Sequence, residues 1–214
     1  MEINYETELK KIAEPSYKKW IQPLVPTIHP DHILGVRVGN IRQLAKQTKN
    51  STSAKTFLLQ VPHTYLEANY LHVFLVQNLA QLEEFLPYID NWAVCDSCPI
   101  FDEMTDGNLM EWLQSDHPYT IRYALVCLMK TFRFSSFWIE KIVRIQSCEY
   151  YVNMAIAWYL SMALVHEYST TLPYFLSRSM SDWIFKKAIQ KALESKQIDD
   201  EKKQELRRLK GGKL

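Results

Sequence analysis

Apolar positions recur at helical spacing along almost the whole chain. Tyr5, Leu9 and Ile12 share one face of a helix over 4–13. Pro15 ends that segment or opens the next. Pro23, Pro26 and Pro30 then break the chain three times, so 23–34 reads as an irregular connection. Asn40 stands where a helix cap would, ahead of Ile41, Leu44 and Ala45. From there the pattern predicts helices over 52–60, 64–85, 88–103, 107–115, 118–134, 136–147, 149–168, 170–177, 180–195 and 199–210. Pro87, Pro118 and Pro173 fall near three of the predicted starts, where a proline is tolerated. The run 71–76 is apolar but short, which predicts a buried helix. No run reaches the roughly 20 apolar residues that a membrane span needs. No stretch alternates with the period of a strand, so the fold class is all-α.

The tryptophans add a longer period. Trp92, Trp112, Trp138, Trp158 and Trp183 are separated by 20, 26, 20 and 25 residues, so alternate members recur every 45–46 residues. Repeats of about 40–47 residues built from helix pairs are HEAT-like, and each interval here holds two predicted helical segments. The expectation is a set of HEAT-like helical repeats stacked as a curved α-solenoid with a concave groove; the alternative is an irregular helical bundle. A length of 214 residues fits one domain. Its parts are N-terminal helices with the proline-rich connection over 1–34, and a C-terminal helix with a short basic tail over 199–214.

Composition removes other classes. With 47% apolar and 23% charged residues the chain is an ordinary globular one, not a disordered one. Of 5 glycines two close the chain, leaving Gly35, Gly39 and Gly107. Those cannot build a Gly-rich phosphate loop, which excludes P-loop and Rossmann sites. Four cysteines and no secretory leader pattern point to a reducing, cytoplasmic setting. The net charge of +1 conceals an asymmetry: residues 56–121 hold ten Asp/Glu and no Lys/Arg, while 178–214 hold eleven Lys/Arg against six Asp/Glu. A polyanion would have to be held by the two ends of the chain; solvated helix faces of differing charge give the same pattern.

Most candidate chemical motifs fail on spacing. Cys95 and Cys98 have zinc-ligand spacing but no second pair, and read better as core cysteines of one helix. His29 and His32 lie in the proline-rich connection without partner ligands. His166-Glu167 lacks the second histidine of a zinc protease, because position 170 is Thr. The segment 90–96, Asp-Asn-Trp-Ala-Val-Cys-Asp, is more informative. Trp92 and Asp96 are four apart and share a helix face. An indole beside a carboxylate can hold a cationic or cation-forming group, although a plain core tryptophan and a helix-end carboxylate have the same spacing.

With these residues in place the chain resembles the DNA alkylation repair family, HEAT-like repeat glycosylases that act on alkylated purines. The resemblance runs through Ile33-Leu-Gly-Val-Arg37 and Ile41-Arg42-Gln-Leu-Ala-Lys46, then Asp90–Asp96, Glu111-Trp112-Leu113, Ile121-Arg122-Tyr-Ala124 and the 150–158 segment ending in Trp158. It closes on Lys186-Lys187-Ala-Ile-Gln-Lys191. What it implies is a DNA alkylation repair protein excising N3- or N7-alkylated purines from duplex DNA. Asp96 would be the catalytic carboxylate, with Trp92 and Trp158 against the lesion sugar and Arg122 on a backbone phosphate. Arg37, Arg42, Lys46, Lys186, Lys187 and Lys191 would border the groove and bind DNA. Such chemistry needs no metal and no cofactor, and the expected protein is a cytoplasmic monomer without membrane contact, nucleoid-associated if active. Trp92, Asp96, Arg122 and Trp158 are expected to be at least partly reachable by solvent. Trp112, Trp138 and Trp183 are expected to be packing residues. The chain departs from the family pattern at Ser161 and Met162, where relatives often carry Arg-Glu, and at the prolines of 23–30. An alternative is therefore a non-catalytic or weakly DNA-binding paralogue acting as a binding or scaffold protein.

Overall fold

The computed structural model describes residues 2–212. Among them are fourteen α-helices, three short 3-10 turns and no strand, so the protein is all-α. Lys213 and Leu214, the end of the expected basic tail, lie outside the described residues. The chain divides into two compact units, Met1–Asp106 and Gly107–Leu214. No helix among the described residues is long and apolar enough to cross a membrane.

The first unit contains α1 (Tyr5–Lys11), α2 (Pro15–Ile21), α3 (Val38–Thr48), α4 (Thr52–Leu58), α5 (Leu66–Leu75), α6 (Leu79–Phe85) and α7 (Trp92–Ser97). Pro15 opens α2 at its first position, where the missing N–H costs nothing. The proline-rich connection contains two 3-10 turns, Gln22–Leu24 and Pro30–His32. At the centre stands α5, buried at nearly every position and in contact with α1, α3, α4 and α7.

A backbone clamp explains how α3 is hung on α5. Glu67 is buried on α5, and its carboxylate accepts the N–H groups of Leu34 at 2.9 Å, Gly35 at 2.6 Å and Val36 at 3.1 Å. Gly35 sits at φ +93°, and a Cβ there would lie 2.6 Å from the Glu14 carbonyl oxygen. Only glycine fits both demands. Arg37, next in line, forms a two-pronged ion pair with Glu14 at 2.9 and 3.0 Å.

The second unit contains α8 (Asp106–Leu113), α9 (Pro118–Lys130), α10 (Ser136–Val143), α11 (Tyr150–His166), α12 (Tyr168–Leu176), α13 (Asp182–Glu194) and α14 (Asp200–Lys210). Here α11 packs between α9 and α13, and α10 packs on α12, which makes two layers. The layered helices α9, α11 and α13 begin at 118, 150 and 182, a step of 32 residues. That step, not the 45–46 of the tryptophans, is the repeat of the packing. Trp138 of α10 and Trp183 of α13, 45 positions apart, fall on helices of different layers, so that spacing does not mark equivalent positions.

Other expectations are corrected by local chemistry. The predicted helix 64–85 is two helices, because Val76 leaves helical geometry and the Asn78 side chain caps α6 through the Gln81 N–H. The predicted helix 88–103 shrinks to α7. Pro87 lies in a 3-10 turn instead of at a start, and Cys98 is extended, as a residue before proline tends to be. Asn40 does not cap α3: it lies inside the helix, whose N-cap position is taken by Arg37, in extended backbone and without a side-chain cap hydrogen bond. Pro173 lies inside α12 instead of near its start. It removes one helical hydrogen bond, a defect worth roughly 3 kcal/mol in a helix interior.

Candidate nucleic-acid interface

In the first unit, Asn91 creates the site locally. Fully buried, it caps α7 by accepting the N–H groups of Ala93 and Val94, both at 3.0 Å. This cap sets the helix so that Ala93, Val94 and Cys95 are buried while Trp92 and Asp96 keep partial exposure on the shared face. The indole is fixed from below: its Nε1–H donates to the Leu24 carbonyl at 2.8 Å. The proline-rich connection thereby supports the site, a role that nothing in the sequence signalled, since Leu24 and Trp92 are 68 positions apart. Tyr70 of α5 lies within the field of Asp96. Burial above all, with the nearby Tyr17, Glu67 and Asp96 adding to it, holds the Tyr70 phenol well above its usual titration range. Cys95 and Cys98 are buried, as core residues.

The other first-unit candidates are all on or beside α3. Arg37 is engaged with Glu14 and lies over the Tyr17 ring at 5.0 Å. Arg42 lies over the Phe74 ring at 4.9 Å. Lys46 is exposed.

In the second unit, Trp158 of α11 is 36% exposed. It lines a cleft of about 220 Å³ together with Ser161, Met162, His166, Lys191 and Glu194. Ser161, which stands near the expected Arg-Glu, is buried and donates its hydroxyl to the Trp158 carbonyl at 2.7 Å. Arg122 departs from the expectation of solvent access. It is only 6% exposed, and its guanidinium donates to the Tyr151 carbonyl at 2.8 Å, which ties α9 to the first turn of α11. A guanidinium on a carbonyl inside the unit is a packing device as well as a cation. On α13, Lys186 is exposed and Lys187 and Lys191 are partly exposed.

The tryptophans divide differently from the sequence expectation. Trp112 and Trp138 are buried, as expected of packing residues, but Trp183 is 41% exposed and meets Tyr150 edge-on at 5.9 Å. The buried face of α13 is formed by Ile184, Phe185, Ala188, Ile189 and Ala192, so Trp183 stands outside it. Among the described residues no group of three or more His, Cys, Asp and Glu side chains is arranged to hold a metal ion.

Comparison with curated proteins gave no match, and comparison with solved structures gave none. A family model does match, that of the DNA alkylation repair enzyme, over residues 5–193. The matched span holds the Glu67 clamp, the Trp92–Asp96 helix, Arg122, Trp158 and the α13 lysines, and on it the chain belongs to the DNA alkylation repair family.

Proposed function

We propose that the protein is a monofunctional DNA glycosylase that hydrolyses the N-glycosidic bond of N3- or N7-alkylated purines in duplex DNA. The observation that carries this reading is α7: a buried asparagine cap and a tethered indole leave one aromatic face and one carboxylate accessible on the same helical turn. An alkylated purine is already cationic and leaves without a general acid. Its departure makes the deoxyribose oxocarbenium-like, as in glycoside hydrolysis. Asp96 is assigned to stabilise that developing charge and to position the attacking water. Trp92, on the same helix, is assigned to the sugar, where cation–π attraction grows as the charge develops. Interactions stronger in the transition state than in the ground state are the ones that accelerate the step.

A second reading is a family member that binds DNA weakly and excises little. Arg122 and Arg37 favour it, since both guanidinium groups already have partners, Arg122 with the Tyr151 carbonyl in the interior and Arg37 with Glu14 at the surface. Single-turnover base release from duplex DNA carrying N7-methylguanine separates the two. Release that is lost in Asp96→Asn supports the glycosylase. Intact folding without release of any alkylated base supports the binding protein.

A further inference from the structure

We infer that the exposed pair Tyr150 and Trp183 forms a stacking platform for an unpaired nucleotide of a DNA strand. The inference rests on DNA being the partner of this family, but not on base excision.

Both residues lie at the beginning of their helices, Tyr150 first in α11 and Trp183 second in α13. Tyr150 is 56% exposed and Trp183 41%, and the rings meet at 69°. Packing does not account for them, because the apolar faces of α11 and α13 are filled by other residues. Tyr151, less exposed than its neighbour, stands edge-on to Tyr150 at 5.1 Å. Tyr151 is itself held through its backbone by Arg122. Each ring is thus braced by a neighbouring ring while keeping much of its surface exposed, and ordering the pair on binding costs less than ordering two unbraced side chains.

Its charge bears on the occupant: the exposed Glu149 and Asp182 precede Tyr150 and Trp183, Asp182 lies 3.7 Å from Arg178, and the lysines further along α13 leave the surroundings net cationic. Lys186 and Lys187 follow Trp183 by three and four residues, which sets them one turn along α13 on neighbouring parts of its surface. Aromatic faces interleaved with lysines fit a nucleic-acid strand, with bases stacked on the rings and phosphates on the ammonium groups. A paired base has its faces covered by its neighbours and offers none to an aromatic ring. The occupant is thus a nucleotide outside the duplex stack, in a single strand or at an unpaired position.

The test is anisotropy of labelled oligonucleotides with the full chain at low salt, using a single strand, a duplex with one unpaired nucleotide and the fully paired duplex. Trp183→Ala is expected to weaken the first two by roughly tenfold, in line with base–aromatic stacking, and to leave the paired duplex unchanged. Trp183→Phe should restore most of the loss, because it keeps a stacking face. Tyr150→Ala should behave as Trp183→Ala does, and both variants should keep the parent's thermal melting midpoint to within a few degrees. Equal losses on all three DNAs, no loss on any, failure of Trp183→Phe to restore, or no single-strand binding by the parent protein would each overturn the platform. The platform is read from binding of the single strand and of the unpaired nucleotide, and the glycosylase assignment from base release, so failure of the one and failure of the other register in different measurements.

Discussion

Glu67 and Gly35 carry more of the first unit than their positions in the sequence announce. A buried carboxylate that accepts three successive N–H groups leaves all three unpaired if it is shortened. Glu67→Gln keeps the size but brings an amide N–H against a backbone N–H, and should lower stability by about 1–3 kcal/mol in urea unfolding. Gly35→Ala meets both a positive φ and a carbonyl oxygen at 2.6 Å, and should cost roughly 2 kcal/mol or more. Arg122 belongs with them. Because it is buried and donates to the Tyr151 carbonyl, Arg122→Ala should lower the melting midpoint, in keeping with a charged hydrogen bond of about 1.5–3 kcal/mol. An unchanged midpoint would return it to the role of a free phosphate ligand. The Leu-Gly-Val-Arg segment was legible as a family signature, but its work in holding Glu67 was not. The partners are 31 to 33 positions apart, and no local pattern links them.

Helix existence was legible where apolar periodicity was long, and helix ends were lost where one polar side chain decides them. Asn78 splits one predicted helix in two and Asn91 delays the start of another, each by accepting backbone N–H with its side-chain carbonyl. Asn91→Ala should loosen α7 and cost about 1–2 kcal/mol, with excision, where present, falling further than stability because the cap aims Asp96. A second element-level feature is the ring stack that joins α4, α5 and α6. His63 lies on Phe57 at 4.3 Å, His72 lies on Phe85 at 3.7 Å, and the two imidazoles share a hydrogen bond of 2.9 Å. Burial lowers His63 to about 4 and His72 to about 3, the latter helped by His63. In the unfolded chain both titrate near 6.5. Between that value and the folded ones the unfolded state binds more protons, so stability falls as pH falls. Above pH 7 neither group contributes a slope. The unfolding free energy from urea titrations should therefore be flat from neutral to mildly alkaline pH and decline from about pH 6.5 to pH 4, by an amount of order several kcal/mol. His72→Phe should flatten that decline.

At the scale of the whole chain, the charge asymmetry was fully legible, but which cations remain available for DNA was not. Resemblance treated Arg37, Arg122 and the α13 lysines alike, because residue type and order are all that a signature holds. The structure divides them by what they already touch. Arg37 is paired with Glu14, Arg122 is buried on a carbonyl, and Lys186 is exposed while Lys187 and Lys191 are partly so. A cation that contributes to DNA affinity by displacing counterions leaves a mark on the salt dependence, about 0.9 in the slope of log K against log salt for each phosphate contact. Replacing Lys186, Lys187 and Lys191 together by Ala should accordingly reduce the slope by about 2–3. Arg37→Ala should change it little, because that guanidinium is already neutralised by the Glu14 carboxylate and makes no phosphate contact while the pair holds. Asp96→Asn should leave the slope unchanged while affinity stays equal or rises, since a negative charge leaves a surface that faces phosphates. A slope insensitive to the α13 lysines, with Arg37 and Arg122 carrying it instead, would mean that the exposed Arg37–Glu14 ion pair and the buried hydrogen bond of Arg122 open on DNA, and that phosphate is held by cations already partnered in the free protein.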